Sequence, residues 1–152
     1  GAARVWFESA SAGLDPATVV EEFAKRKEYI QGIGHKKYRI DAPDPRVQVL
    51  LKIVGKMPTP HLYFARAVEV VTTSKKPNLI LNVDGALAAI FNDLLIHEEK
   101  IDKDEIKTLI DAEFFNAIFI LSRSVGFIGY YLDQKRLAEG LFRLPDNQIF
   151  TK

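Results

Sequence analysis

Apolar residues recur at helical spacing in nearly every segment between this chain's proline and glycine breaks. That periodicity, with the breaks themselves, predicts an all-α fold. Val5, Trp6, Phe7 and Ala10 lie on one helical face that ends near Gly13. Asp15 reads as an N-cap and Pro16 as a first helical residue, opening a helix that carries Val19, Val20 and Phe23 to about Lys27. Gly32 and Gly34 break the chain into a turn, and residues 36–43 read as an extended loop. Pro43 and Pro45 close that loop, because a residue before proline avoids the helical region. Arg46 then opens a helix with Val47, Leu50, Leu51 and Val54 on one face. After Pro58 and Pro60, a helix over about 61–72 presents Leu62, Ala65, Val68 and Val71. Lys75, Lys76 and Pro77 form a loop, and residues 82–95 a largely apolar helix. Ile101 to Glu105 is an acidic helix start, favourable near the positive end of the helix dipole. A long helix is expected from about Glu113 to Leu132, running on towards Glu139 and stopped by Gly140, before a short tail with a turn at Pro145, Asp146 and Asn147.

Bulk properties narrow the class. At 152 residues the chain is one domain by length, with enough apolar content for a real core. Its 21 basic and 20 acidic residues leave a net charge of +1, which argues against broad nucleic-acid binding. It has no cysteine, so it can build neither a disulfide framework nor a thiolate metal site, and it fits a reducing compartment. The N-terminus lacks a basic region followed by an apolar run and does not read as a signal peptide. The stretch from Phe114 to Leu132 reaches membrane-spanning length but contains Asn116, Ser122, Arg123 and Ser124. Arginine at a bilayer centre costs roughly 2.5–3.5 kcal/mol, so a buried core helix is the expectation and no membrane is invoked.

Several groups could do chemistry. His35 follows Gly32, Ile33 and Gly34, and glycines let a backbone approach a ligand with N–H groups free to donate. A histidine held there can act as acid or base near neutral pH; a plain loop histidine is the alternative. Asp84 opens an apolar helix. It is either a first-turn acid or a partly dry carboxylate whose proton affinity is raised by burial. Arg123, inside the apolar stretch, needs an anion, from an internal acid or from a substrate carboxylate held in a bidentate fork. Arg46 and Arg143 are surface arginines unless they converge with it. Lys75 and Lys76 are a solvated pair or a phosphate contact. His61 and His97 show no metal-ligand spacing with His35, so no metal is expected, and no GxxxxGK[ST] loop is present to bind ATP.

The order Gly32-Ile33-Gly34-His35, Asp44-Pro45-Arg46 and Asn82-Val83-Asp84-Gly85 resembles the active-site half of the citrate synthase superfamily. The run from Thr73-Ser74-Lys75-Lys76-Pro77 to Gly85, Arg123-Ser124-Val125-Gly126-Phe127-Ile128-Gly129, and the block from Tyr131 to Leu137 resemble the C-terminal citryl-CoA lyase module of ATP-citrate lyases. The resemblance implies the small, C-terminal helical domain of the citrate synthase fold, with its long helix and tail. It implies cleavage of citryl-CoA to acetyl-CoA and oxaloacetate, with a condensing citrate synthase or a non-catalytic CoA-binding fragment as alternatives. By the same resemblance His35 is the acid/base at the citryl hydroxyl and Asp84 the acid/base at the acetyl carbon. Arg46, Arg123 and Arg143 would hold carboxylates. The backbone of Gly32, Ile33 and Gly34, with Lys75 and Lys76, would contact coenzyme A. ATP and magnesium would act elsewhere in a parent enzyme. The family's first histidine and larger domain lie upstream of this segment, so weak binding and poor catalysis are expected of the chain alone. The resemblance further implies a cytoplasmic homo-oligomer, dimer or tetramer, completed by the upstream part of the module.

Overall fold

Side chains close the first turn of four helices. Asp15 accepts from the Thr18 N–H at 3.1 Å, Asp44 from Arg46 at 3.0 Å, Asn82 from Gly85 at 3.0 Å, and Asp102 from Asp104 and Glu105 at 2.9 Å. Each bond satisfies a backbone donor that the helix start would otherwise leave orphaned. The computed structural model describes residues 1–140; Arg143 and the expected tail turn lie outside them.

The helices are α1 (Ala2–Ser11), α2 (Pro16–Arg26), α3 (Pro45–Val54), α4 (Pro60–Lys75), α5 (Val83–Asp93), α6 (Lys103–Asp111) and α7 (Phe114–Leu137). One π turn, Leu94–Glu98, follows α5 directly. No strand occurs among the described residues, so the all-α expectation holds. The expected helix limits agree within a few residues, because the capping and proline signals that set them are local.

The chain forms two compact units, residues 1–115 and 116–152. In the first, α1, α4 and α5 pack on one another, with α2 against α4, α3 against α5 and α6 against α1. Trp6, Ala65, Val68, Ala86, Ala89 and Ile106 are wholly enclosed. Trp6 also donates its Nε1–H to the Gly85 carbonyl at 3.1 Å and meets Phe64 edge-on. A buried indole N–H needs such a partner, and this one ties α1 to the first turn of α5. Arg4 on α1 pairs with Asp111 at the end of α6.

Beside that bond, the 30–35 turn and α5 approach at two glycines. Gly32 has φ +90°, and a Cβ placed on it would stand 2.7 Å from the Gly85 Cα and 3.1 Å from the Trp6 ring. A Cβ on Gly85 would stand 2.4 Å from the Gly32 carbonyl oxygen. Neither position accepts a side chain without moving backbone.

The second unit begins within α7. The expectation of a buried core helix is not met there, since no residue of α7 is buried. Ile120, Leu121, Val125, Phe127 and Ile128 are each more than half exposed. The helix is apolar on most faces, and none of its residues is buried by the described residues. By length and composition it could also cross a membrane.

Substituting Gly32→Ala is expected to destabilise the protein by at least about 2 kcal/mol, from backbone strain and overpacking together. Gly13 also has positive φ, +63°, but opens onto free space. Gly13→Ala should therefore cost only about 1–2 kcal/mol. Urea unfolding of the two variants separates the contact from the dihedral.

Candidate active site

The site is assembled on two backbone segments that lie side by side. The Gly34 N–H donates to the Ile80 carbonyl at 2.7 Å, His35 N–H to Asn78 at 3.0 Å, and Asn82 N–H to Gly32 at 3.0 Å. Ile33 and Leu81 form an isolated antiparallel bridge in the middle. Asn82 is the joint. Its Oδ1 caps α5 through Gly85, while its Nδ2 donates to the Gly34 carbonyl at 3.0 Å. One side chain thus fixes the turn that ends in His35 against the helix start that carries Asp84.

His35 is half-buried, and its ring is oriented by its own loop. Nδ1 accepts from the N–H groups of Lys37 and Tyr38, both at 3.0 Å, and the ring lies 4.6 Å from that of Tyr38. The hydrogen-bond network assigns the tautomer: Nδ1 is the acceptor, so the neutral ring carries its proton on Nε2.

Asp44 and Arg46 form the strongest charge pair of this region. The Arg46 guanidinium donates through Nε at 3.0 Å and Nη2 at 2.7 Å to the two Asp44 oxygens. Asp44 is fully buried, whereas Arg46 is about half exposed (49%). Hydrogen bonds from the Arg46 side chain hold the Asp44 carboxyl below its ordinary range. Burial opposes that shift, the Arg46 backbone N–H and charge add to it, and His35 adds to it whenever its ring is protonated. The same pairing raises Arg46 against its own burial, and the negative fields of Tyr38 and Asp84 contribute. Asp44 thus responds to Arg46 and His35, and Arg46 to Asp44 and Asp84.

Three sequence expectations change here. Asp84 is exposed on the first turn of α5, so the described residues do not supply the dry surroundings expected of it. Its helix position is favourable for an anion, and the capping duty falls to Asn82. The N–H groups of Ile33 and Gly34 are not free to donate, because Ile30 and Ile80 carbonyls accept them. Arg123, in the second unit, is exposed and lies over the Phe119 ring at 4.7 Å, so water relieves it of the need for a buried anion. Lys75 and Lys76 are exposed at the C-terminal end of α4.

Sequence reasoning overlooked Asp44 as the partner of Arg46, Asn82 as the joint, and the meeting of His61 and His97 with Asp93. The Asp44-Pro45 helix start was a usable signal for the first; the others are long-range. A cleft of about 210 Å³ beside Asp44, lined also by Val47, Arg66 and Glu69, includes neither His35 nor Asp84. It is below the roughly 300–1,000 Å³ of ordinary ligand pockets.

An all-helical domain that sets a histidine turn against a carboxylate-bearing helix start is a domain of the citrate synthase fold. The sequence profile described as "Citrate synthase, C-terminal domain" matches residues 2–144, and the chain belongs to that family. It is 45% identical over 150 residues to the ATP-citrate synthase of Bos taurus, covering 97% of this chain and 14% of that protein. The solved ATP citrate lyase of Methanothrix soehngenii, in complex with citrate and coenzyme A, is 41% identical with a TM-score of 0.82. That match covers 99% of this chain and 25% of the other. Citryl-CoA lyase from Hydrogenobacter thermophilus gives 25% identity and a TM-score of 0.69, over 99% of this chain and 54% of that one. The chain thus spans a small part of the ATP-citrate synthases it matches.

Acid should weaken the protein through Asp44. A carboxyl lower in the folded than in the unfolded state stabilises fully above the unfolded value near 4, and that stability is lost as pH falls through the folded value. Asp44→Asn removes this contribution. Urea midpoints measured from neutral pH downwards should fall less steeply for the variant than for the wild type.

Proposed function

We propose that this chain supplies part of the citryl-CoA-cleaving site of an ATP-citrate lyase, with His35 and Asp84 as its acid–base pair. The observation that carries this reading is the Asn82 joint. It fixes the His35 turn to the start of α5, in a region where Arg46 senses Asp84 and Asp44 senses His35. The family membership and the citrate- and CoA-bound structural relative supply the substrate class.

Cleavage runs as the reverse of condensation: the His35 ring that has already lost its Nε2 proton, held electron-rich by the Lys37 and Tyr38 N–H groups on Nδ1, takes the citryl hydroxyl proton at Nε2, and the hydroxyl oxygen becomes the oxaloacetate carbonyl. The broken carbon–carbon bond leaves its electron pair on the acetyl carbon as a thioester enolate, and Asp84 protonates that carbon to give acetyl-CoA. In the condensing direction Nε2–H is the donor to the carbonyl oxygen. The N–H groups of Lys37 and Tyr38 on Nδ1 stabilise the electron-rich ring that donation leaves. Arg46 keeps Nη1 outside its fork with Asp44 and serves a substrate carboxylate with it, while Arg123 and Arg143 are carboxylate-holding candidates on the family resemblance alone. Lys75 and Lys76 act as point charges for the CoA phosphates. The Gly32-Ile33-Gly34 backbone contributes shape and carbonyls rather than the Ile33 and Gly34 N–H groups.

The upstream part of the module and a second subunit would cover α7 and enclose Asp84, giving a cytoplasmic homo-oligomer. The largely apolar exposed surface of α7, with Arg123 at its middle, supports protein rather than lipid as the cover. ATP and magnesium would act in other parts of the parent enzyme. A second reading, a CoA-binding segment without turnover, draws on the exposure of Asp84 and the engagement of Arg46 by Asp44.

The test uses the parent protein, citryl-CoA and a coupled dehydrogenase that reports oxaloacetate. His35→Ala and Asp84→Asn are each expected to lower turnover by about 10²–10⁴ while CoA binding stays within a few-fold. Turnover unchanged in either variant sinks the assignment, and CoA binding with no turnover in the wild type favours the second reading.

A further inference from the structure

Away from the His35 site, α4 begins on an acid borrowed from another helix. Its cap residue, Thr59, makes no side-chain bond. Asp93, the last residue of α5, accepts instead from the His61 N–H and the Leu62 N–H, both at 2.9 Å. The same carboxylate takes the His61 Nδ1 at 2.7 Å. Asp93 is fully buried and His61 is 5% exposed. With Nδ1–H given to Asp93, the neutral ring keeps its lone pair on Nε2. That Nε2 is buried and has no partner.

The π turn then brings up a second such nitrogen. His97 stands four residues after Asp93, on the same side of a continuous helical path, and its ring lies 6.5 Å from that of His61. Its Nε2 is also buried without a partner. One ligand atom from each of His61, Asp93 and His97 falls within 4.8 Å of the others. A buried polar atom left unmatched costs about 1–3 kcal/mol, so two such nitrogens in one place call for a shared partner, which His97 can meet as an acceptor with its proton on Nδ1. π turns inside helices occur frequently at functional sites.

We propose that His61 and His97 bind a divalent transition metal of the zinc class, with Asp93 orienting His61. Imidazole nitrogens suit zinc, copper and nickel rather than magnesium or calcium. A carboxylate on the far ring nitrogen is the usual support for a zinc-bound histidine, fixing its tautomer and raising its basicity. Asp93 takes that supporting place because its 2.7 Å approach to Nδ1 is a hydrogen bond. Two ligands on one tetrahedral zinc, each at about 2.0–2.1 Å, would stand roughly 3.3 Å apart. The two rings, with centroids 6.5 Å apart, would have to turn their Nε2 atoms towards each other to reach that spacing on binding the ion. His97 is only half-buried, which leaves a side for the ion to enter and for water to complete the coordination. The ion would clamp the start of α4 to the end of α5.

The experiment titrates zinc into the chelator-treated full chain. It follows stoichiometry by calorimetry, the melting temperature, and the visible absorption of cobalt as a substitute. One equivalent should bind and raise the melting temperature, magnesium should do neither, and cobalt should report nitrogen ligation. His97→Gln and His61→Asn keep the backbone donors that cap α4, and each should weaken binding at least about tenfold; circular dichroism confirms that they fold. Asp93→Asn should weaken it by about 10–100-fold. His35→Ala should bind zinc as the wild type does. No saturable zinc binding, binding unchanged in both folded histidine variants, or binding lost in His35→Ala would each overturn the proposal.

Discussion

The approach of Gly32 to Gly85 is the constraint on which the site depends. Two backbones meet there with no room for a Cβ on either. Trp6 closes the contact from the core side with its bond to the Gly85 carbonyl, and Asn82 closes it from the other with two bonds of opposite sense. The packed core of α1, α4 and α5 thereby sets the distance between a loop and a helix start. Neither His35 nor Asp84 needs to touch the other to be placed, since the backbones beneath them are already joined. The attachment points of both groups are held by these bonds rather than by the groups themselves.

Charge in the site is organised by an unequal pair. Asp44 is buried and Arg46 half exposed, so the pair presents a cation towards solvent while its anion stays inside. Such a fork costs desolvation on the Asp44 side, and the capping bond from the Arg46 N–H recovers part of it. An arginine anchored this way is pre-oriented, and its remaining N–H groups lose little freedom on meeting another carboxylate. The exposure of Asp84 has a different meaning. A carboxylate asked to move a proton at carbon works best in dry surroundings, which the described residues do not supply. The bare apolar length of α7 points the same way. Both are left exposed among the described residues.

The borrowed cap at α4 shows how function and packing share groups. Asp93 serves three N–H donors at once, and the cost of burying a carboxylate is offset by those bonds. His61 is drawn into the core by that carboxylate and stacks on Phe7. The π turn follows immediately and carries His97 to within 6.5 Å of the His61 ring, centroid to centroid.

Much of the fold was legible in the sequence. Asp15-Pro16, the prolines before α3 and α4, and the apolar periodicities of α1, α4 and α5 located the helices, because caps, proline geometry and side-chain spacing act over a few residues. The order of the glycine–histidine turn, Asp44-Pro45-Arg46 and the Asn82–Gly85 run was legible too, as a family pattern. Tertiary structure alone decided the environments. It closed the Ile33 and Gly34 N–H groups, buried Asp44 under Arg46, left Asp84, Arg123 and α7 in the open, and brought His61 to Asp93 and His97 across more than thirty positions. Burial and hydrogen-bond partnership belong to pairs of residues remote in the chain. A single sequence carries each residue's chemistry, and only packing settles what that chemistry faces.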